Sequence, residues 1–212
     1  MNIINLIIIG NSGHKKVVED VANSLGYITV GIIDDQYSSY YQNNGIYYGN
    51  SHYIKTMISD TGAKVFFGIG NNLIRKKIIR EHGLKNSDFA SLISPYTHVS
   101  NSSKIGTGTL VMPNAVINAD TVIGEHSIIN TSCVIEHDCI VEDFCHISPG
   151  AILTGGVKIR EGSHIGAGAV VNPLVEVNEW SIIGSGSTVI SNIESHVTAV
   201  GSPAKVIKNH KE

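Results

Sequence analysis

The stretch NTSCVIEHDCIVEDFCHISPGAILTGGVKI, residues 130–159, decides the fold. Within Val134–Ile147 it carries two histidines, two cysteines and four carboxylates, which raises the question of a metal site or a thiol nucleophile. Its rhythm answers first. Ile135, Val141, Ile147, Leu153 and Ile159 recur every sixth residue, and the series runs unbroken from Ile93 to Val189, seventeen aliphatic residues in register. Two positions before each runs a second series of small or β-branched residues, from Thr97 to Ser187, which includes Cys133, Cys139, Cys145 and Ala151. A period of six suits neither an amphipathic helix nor a half-buried strand. It suits a solenoid whose coil has three six-residue sides, with aliphatic residues inward, small residues near the corners, and coils stacked as parallel strands ~4.8 Å apart.

That register settles the cysteines. Cys133, Cys139 and Cys145 hold the same position on three consecutive sides, so they face different ways and cannot converge on one ion. No C-x-x-C pair, H-x-H or H-E-x-x-H motif is present, and no metal is expected. His137 and His146 stand outside both series, so packing of the prism does not account for them.

Composition bounds the rest. Charged residues are 16% of the chain, 22 residues are glycine, and the net charge is −3 without a basic run. Nothing there attracts nucleic acid or an anionic membrane. No apolar run approaches the ~20 residues of a membrane span, the N-terminus lacks the basic lead of a signal peptide, and three unpatterned cysteines suit a reducing cytoplasm.

The first half reads as βαβ. Leu6–Ile9 is a strand, Gly10-Asn11-Ser12-Gly13-His14 a turn, and the helix to about Leu25 places Val17, Val18, Val21, Ala22 and Leu25 on one face before Gly26 stops it. Tyr27–Ile33 is the next strand, ending at Asp34-Asp35; Val65–Ile69 is another, with a helix over Asn72–His82. This is Rossmann-like wiring. The turn is Gly-x-x-Gly-His, not Gly-x-Gly-x-x-Gly, which disfavours a nicotinamide cofactor but leaves backbone N–H groups and a helix N-terminus suited to a phosphate. Ser38–Gly49 reads as a loop able to close over a ligand, and the linker falls around Lys85–Ser94.

The six-residue pattern is that of left-handed parallel β-helix (hexapeptide repeat) proteins. Together with IIGNSGHKKVVEDVANSLGY at the start, the EHD segment and VGSPAKVI at the end, it resembles the sugar O/N-acyltransferase family, which includes UDP-4-amino-sugar N-acetyltransferases and sialic acid O-acetyltransferases. The resemblance implies an α/β Rossmann-like nucleotide-sugar domain over 1–88 and a left-handed β-helix acetyltransferase domain over 89–212. It also implies a cytoplasmic homotrimer with acetyl-CoA as co-substrate, a nucleotide sugar as acceptor, and active sites between subunits.

On the matching positions, His137 is the implied general base and Asp138 its partner, with neutral imidazole a suitable proton acceptor near neutral pH. His146 matches a second active-site histidine, in contact with substrate or cofactor. Gly155, eighteen residues after His137, offers an N–H to the thioester oxygen. Gly201, Pro203 and Lys205 match the CoA-contacting tail. Asn11, Ser12, Gly13 and His14 match the turn around the sugar-nucleotide phosphates, and Asp34 and Asp35 lie near base and ribose. Gln36 stands where some UDP-sugar enzymes have lysine, which leaves GDP- and dTDP-sugars open. The expected activity is N-acetylation of the 4-amine of a UDP-linked 4-amino-4,6-dideoxy sugar. Sugar O-acetylation is the alternative within the class, and a non-enzymatic sensor on a trimeric scaffold the alternative outside it.

Overall fold

The computed structural model describes residues 4–210, in two compact units that divide between Leu92 and Ile93. In the first unit, β1 (Ile4–Ile9), α1 (Gly13–Ser24) and β2 (Tyr27–Ile33) make a parallel crossover. Next come β3 (Tyr41–Asn43), β4 (Ile46–Gly49), α2 (Ile54–Thr61), β5 (Lys64–Phe67) and α3 (Asn72–His82). The sheet order is β3-β4-β2-β1-β5. β1 lies between β2 and β5, and Leu6, Ile7, Ile8 and Ile9 are all buried, the continuous apolar run of a strand covered on both faces. Gly31 on β2 makes room for α2: a Cβ there would lie 2.3 Å from the Met57 sulfur.

Two details depart from the sequence reading. Val17 is exposed, because the buried stripe of α1 is the narrower Val18, Val21, Ala22. Ser38–Gly49 is no open loop; Tyr41–Asn43 and Ile46–Gly49 pair antiparallel, and β4 extends the sheet beside β2. Asn44 and Gly45 both have positive φ (48° and 82°), the geometry of a tight Asn-Gly hairpin turn. Phe89 and Ala90 continue this unit rather than the next. Ala90 N–H donates to the Val65 carbonyl, and the Phe89 ring packs 5.3 Å from Phe67.

The second unit is a left-handed parallel β-helix of two-residue strands. Each pairs with the strand eighteen residues on: Val116 with Val134, Val134 with Ile152, Ile152 with Val170. Three sheets result, of six, five and eight strands, and consecutive strands Val134–Ile135, Ile140–Val141 and His146–Ile147 fall one on each. Ile135, Val141, Ile147, Leu153 and Ile159 are buried in one continuous column of core. The small-residue series also makes hydrogen bonds. Thr121, Ser127 and Ser163 hydroxyls donate to the carbonyls of Glu136, Glu142 and Asn178 at 2.7–2.9 Å, and Cys139 and Cys145 thiols to those of Thr154 and Arg160. These residues fasten one coil to the next.

The corners require left-handed backbone. One corner column, Asp120, Asp138, Gly156 and Leu174, has φ of 58°, 59°, 70° and 62°. Another carries His126 stacked on Phe144 at 5.2 Å, and Trp180 above Gly162, where a Cβ would meet the indole at 2.4 Å. Beyond the last coil, Val197–Val200 pairs antiparallel with Lys205–Asn209 at one end of the eight-stranded sheet. Replacing Ile147 with Ala leaves a void that aliphatic neighbours on rigid coils cannot fill, so it is expected to cost about 2–5 kcal/mol, read as a lowered midpoint in denaturant unfolding.

Candidate active site

In the first unit the ends of β1 and β2 build a turn from backbone and carboxylate. Gly10 N–H donates to the Ile33 carbonyl at 2.6 Å, and Asn11 N–H to Asp34 Oδ2 at 2.7 Å. Asp34 Oδ1 accepts Gln36 N–H, and Asn11 Nδ2 donates to the Tyr37 hydroxyl at 2.8 Å. Asp34 therefore holds the turn together at the carboxyl ends of parallel strands, the edge where such sheets bind ligands. Asn11, Ser12 and Gly13 are exposed there and His14 is half-buried at the start of α1. Burial, and secondarily the charge of Arg75, holds the His14 pKa below the ordinary histidine value. Asp35 points elsewhere. It accepts Ser51 N–H at 2.9 Å, and that backbone bond holds its carboxyl below the usual range.

In the second unit His137 and Asp138 meet at the corner between the six- and five-stranded sheets. Neighbouring residues rarely face one another; here the left-handed φ of Asp138 turns its carboxylate onto His137, with Nδ1 to Oδ2 at 2.7 Å. That hydrogen bond leads the causes that raise the His137 pKa, followed, after a smaller opposing effect of desolvation, by the charges of Asp138 and Glu136. With Nδ1–H committed to Asp138, Nε2 is left as the proton-accepting nitrogen. One coil on, Gly155 lies beneath the ring: a Cβ there would stand 2.8 Å from His137 Cε1 and 2.9 Å from Nε2. Only glycine lets the ring lie this close to the backbone of the next coil.

His146 is not part of this cluster within one chain. It lies on the eight-stranded sheet, across the prism from the corner that carries His137. Its ring stacks on His164 at 4.7 Å, and Nε2 is 3.1 Å from Asn130 Nδ2. Gly201, Pro203 and Lys205 lie beyond the last coil of the solenoid. Gly201 accepts Thr188 N–H, and Thr188 is three coils along the same sheet from Val134, roughly 15 Å at the strand spacing. The cysteines are buried on three sheets and unpaired with one another. Burial pushes the Cys133 thiol up to about 12 and the Cys139 thiol to about 11, so neither is a ready nucleophile near neutral pH. Among the described residues, no group of three or more His, Cys, Asp or Glu side chains is placed to hold a metal ion.

Residues 5–82 match the family described as PglD N-terminal domain, and residues 120–155 match the bacterial transferase hexapeptide (six repeats). PerB from Caulobacter crescentus, solved in complex with CoA and GDP-perosamine, is 34% identical with a TM-score of 0.86, over 96% of this chain and 97% of that one. The acetyltransferase domain of PglB from Neisseria gonorrhoeae FA1090, solved with acetyl coenzyme A, is 33% identical with a TM-score of 0.85, over 96% and 98%. A UDP-N-acetylbacillosamine N-acetyltransferase of Bacillus subtilis (strain 168) is 39% identical over 112 residues. The match spans 51% of this chain and about half the length of that curated relative. The chain belongs to the sugar O/N-acyltransferase family of left-handed β-helix proteins.

Arg75, which donates to the Ile69 and Gly70 carbonyls, is a buried cation that sequence reasoning missed. Inside an amphipathic helix it reads as part of the solvated face, yet it is 1% exposed. The histidine dyad yields a direct test: Asp138→Asn removes the main cause of the raised His137 pKa, so the His137 titration, followed by NMR, is expected to move to lower pH.

Proposed function

We propose that the chain is an acetyl-CoA-dependent N-acetyltransferase that acts on the 4-amine of a UDP-linked 4-amino-4,6-dideoxy sugar, with His137 as general base. The observation that carries the chemistry is the His137 ring, locked through Nδ1 to Asp138 with Nε2 close to the backbone of Gly155. The substrate amine attacks the thioester carbonyl and its proton passes to Nε2. Asp138 stabilises the imidazolium that forms. The Gly155 N–H receives the oxyanion of the tetrahedral intermediate, the C–S bond breaks, and the imidazolium proton goes to the departing CoA thiolate. No acyl-enzyme is required, in keeping with the high thiol pKa values of Cys133 and Cys139.

The tail Gly201–Lys205, beyond the sheet that leads to His137, suits the far end of an elongated cofactor. In the first unit, Asn11 to His14 take the diphosphate and Asp34 lies near the nucleoside. Asp35, held by Ser51, is a less direct contact. A GDP-linked sugar is the second reading, favoured by the solved complex of PerB with GDP-perosamine.

The position of His146 on the face opposite His137 supports a homotrimer with sites between subunits. It joins His137 only when the eight-stranded face of one copy packs beside the His137 corner of another. Light scattering is expected to give three chain masses. No helix of the described residues is long and apolar enough to cross a membrane, and a cytoplasmic enzyme would share its compartment with both substrates.

His137→Ala is expected to lower kcat by about 10²–10⁴-fold with acetyl-CoA binding retained; a near-normal rate rejects the base assignment. The active form of His137 is the neutral one, so the rate should fall as pH drops through its raised pKa. In Asp138→Asn that acid limb shifts to lower pH while the maximal rate declines, which a kcat/KM profile against pH resolves.

A further inference from the structure

The corner that carries the histidine dyad runs on along the prism. Asp120, Asp138, Gly156 and Leu174 follow one another at the same turn of successive coils, all with positive φ. Glycine, asparagine and aspartate adopt that backbone readily, whereas a bulky aliphatic residue is strained there. Among the described non-glycine residues with positive φ, Leu174 is the one aliphatic. The other bulky residues in this conformation have ring or glycine partners: His126 stacks on Phe144, and Trp180 lies over Gly162. Leu174 is instead 81% exposed. A single exposed leucine is ordinary on a protein surface. One that is also held in left-handed backbone combines two unfavourable features, and with so much of its surface open, packing within the chain offsets neither.

Its place on the solenoid says what covers it. Leu174 N–H donates to the Gly155 carbonyl at 3.1 Å, and a Cβ on Gly156 would lie 2.7 Å from Leu174 Cδ2. The side chain thus leans toward the glycine pair beside His137. On the next coil Ile190 is 54% exposed, two residues after Thr188. Thr188 holds the tail: its N–H donates to the Gly201 carbonyl at 3.0 Å, and its carbonyl accepts Ala204 N–H at 2.8 Å. Exposed aliphatic side chains therefore occupy the interval between Gly155 and the Gly201–Lys205 tail. An acyl-CoA has the matching chemistry. Its thioester and its phosphorylated nucleotide are joined by a pantetheine arm of methylenes, a gem-dimethyl group and two amides. With the thioester at His137 and the nucleotide at the tail, the arm crosses this interval.

We propose that Leu174 anchors the pantetheine arm of acetyl-CoA, its exposed side chain being covered by the arm's aliphatic portion when the cofactor binds. The inference rests on the proposed cofactor path from His137 to the tail. Glycine suits the left-handed backbone at residue 174, so Leu174→Gly removes the side chain without straining the corner. The variant should unfold at close to the usual temperature. Calorimetric titration of the full-length variant with CoA should show about three- to tenfold weaker binding, the scale of uncovering part of one leucine. Adenosine 3′,5′-bisphosphate, which lacks the arm, should bind unchanged. Leu174→Met, of similar volume, should keep CoA binding. In steady state the KM for acetyl-CoA should rise, while kcat and the KM for the nucleotide sugar hold.

Unchanged CoA binding in Leu174→Gly, or an equal loss for the bisphosphate, would overturn the proposal. So would a fall in assembly mass by light scattering, because Leu174 would then be a contact between copies of this chain. Should Leu174→Gly fail to fold, methyl NMR of the unsubstituted protein decides. The Leu174 methyl signals should move with CoA and stay fixed with the bisphosphate; methyls indifferent to bound CoA end the proposal. Failure of the unsubstituted protein to bind CoA instead removes the cofactor path itself, and the inference with it.

Discussion

The parallel hydrogen-bond ladder between coils is the constraint from which the second domain follows. Each strand is two residues long and has little stability of its own, so it persists only by pairing with strands eighteen residues before and after it. An insertion of one residue would turn every later aliphatic side chain out of the column. The chain meets this demand without a break from Ile93 to Val189. Side-chain hydroxyls and thiols at the small position add a second set of ties between coils, which explains why serine, threonine and cysteine interchange there with alanine and valine.

The same regularity builds the candidate site. Because coils repeat at a fixed spacing, a side chain at one corner lies over the equivalent residue of the next coil, and His137 lies over Gly155. Because a corner needs left-handed backbone, residue 138 projects sideways rather than outward, which brings the Asp138 carboxylate to its neighbour's Nδ1. A strand or helix would have sent these two side chains apart. The dyad is thus a product of corner geometry, fixed by a rigid scaffold. A loop would hold it less firmly. In the first domain the equivalent device is the glycine turn: Gly10 and Gly68 allow two backbones to touch, and their N–H groups and helix ends are held at one edge of the sheet.

Much of this was legible in the residues. The six-residue period announced the prism and excluded convergence of the cysteines, while the glycine turn and the run Leu6–Ile9 announced the parallel sheet. What escaped has physical causes. The Asn44-Gly45 turn signal lay in a tyrosine-rich segment whose alternation was too short to stand out, so a hairpin read as a loop. The burial of Arg75 depends on the turn after β5, far from any period that helix α3 itself displays. The separation of His146 from His137 follows only once nine residues are counted as one and a half sides of a three-sided coil, which puts the second histidine on the opposite face.

The central claim is acetyl transfer from CoA to the amine of a nucleotide-linked sugar. Its most direct test is a thiol-release assay with acetyl-CoA against UDP-, GDP- and dTDP-linked 4-amino sugars and free sialic acid, with product mass determined. The account predicts rapid CoA release with a nucleotide amino sugar, UDP-linked in the first instance, and a product heavier by one acetyl group on nitrogen. Release with sialic acid alone, or silence across the panel without CoA binding, would contradict it.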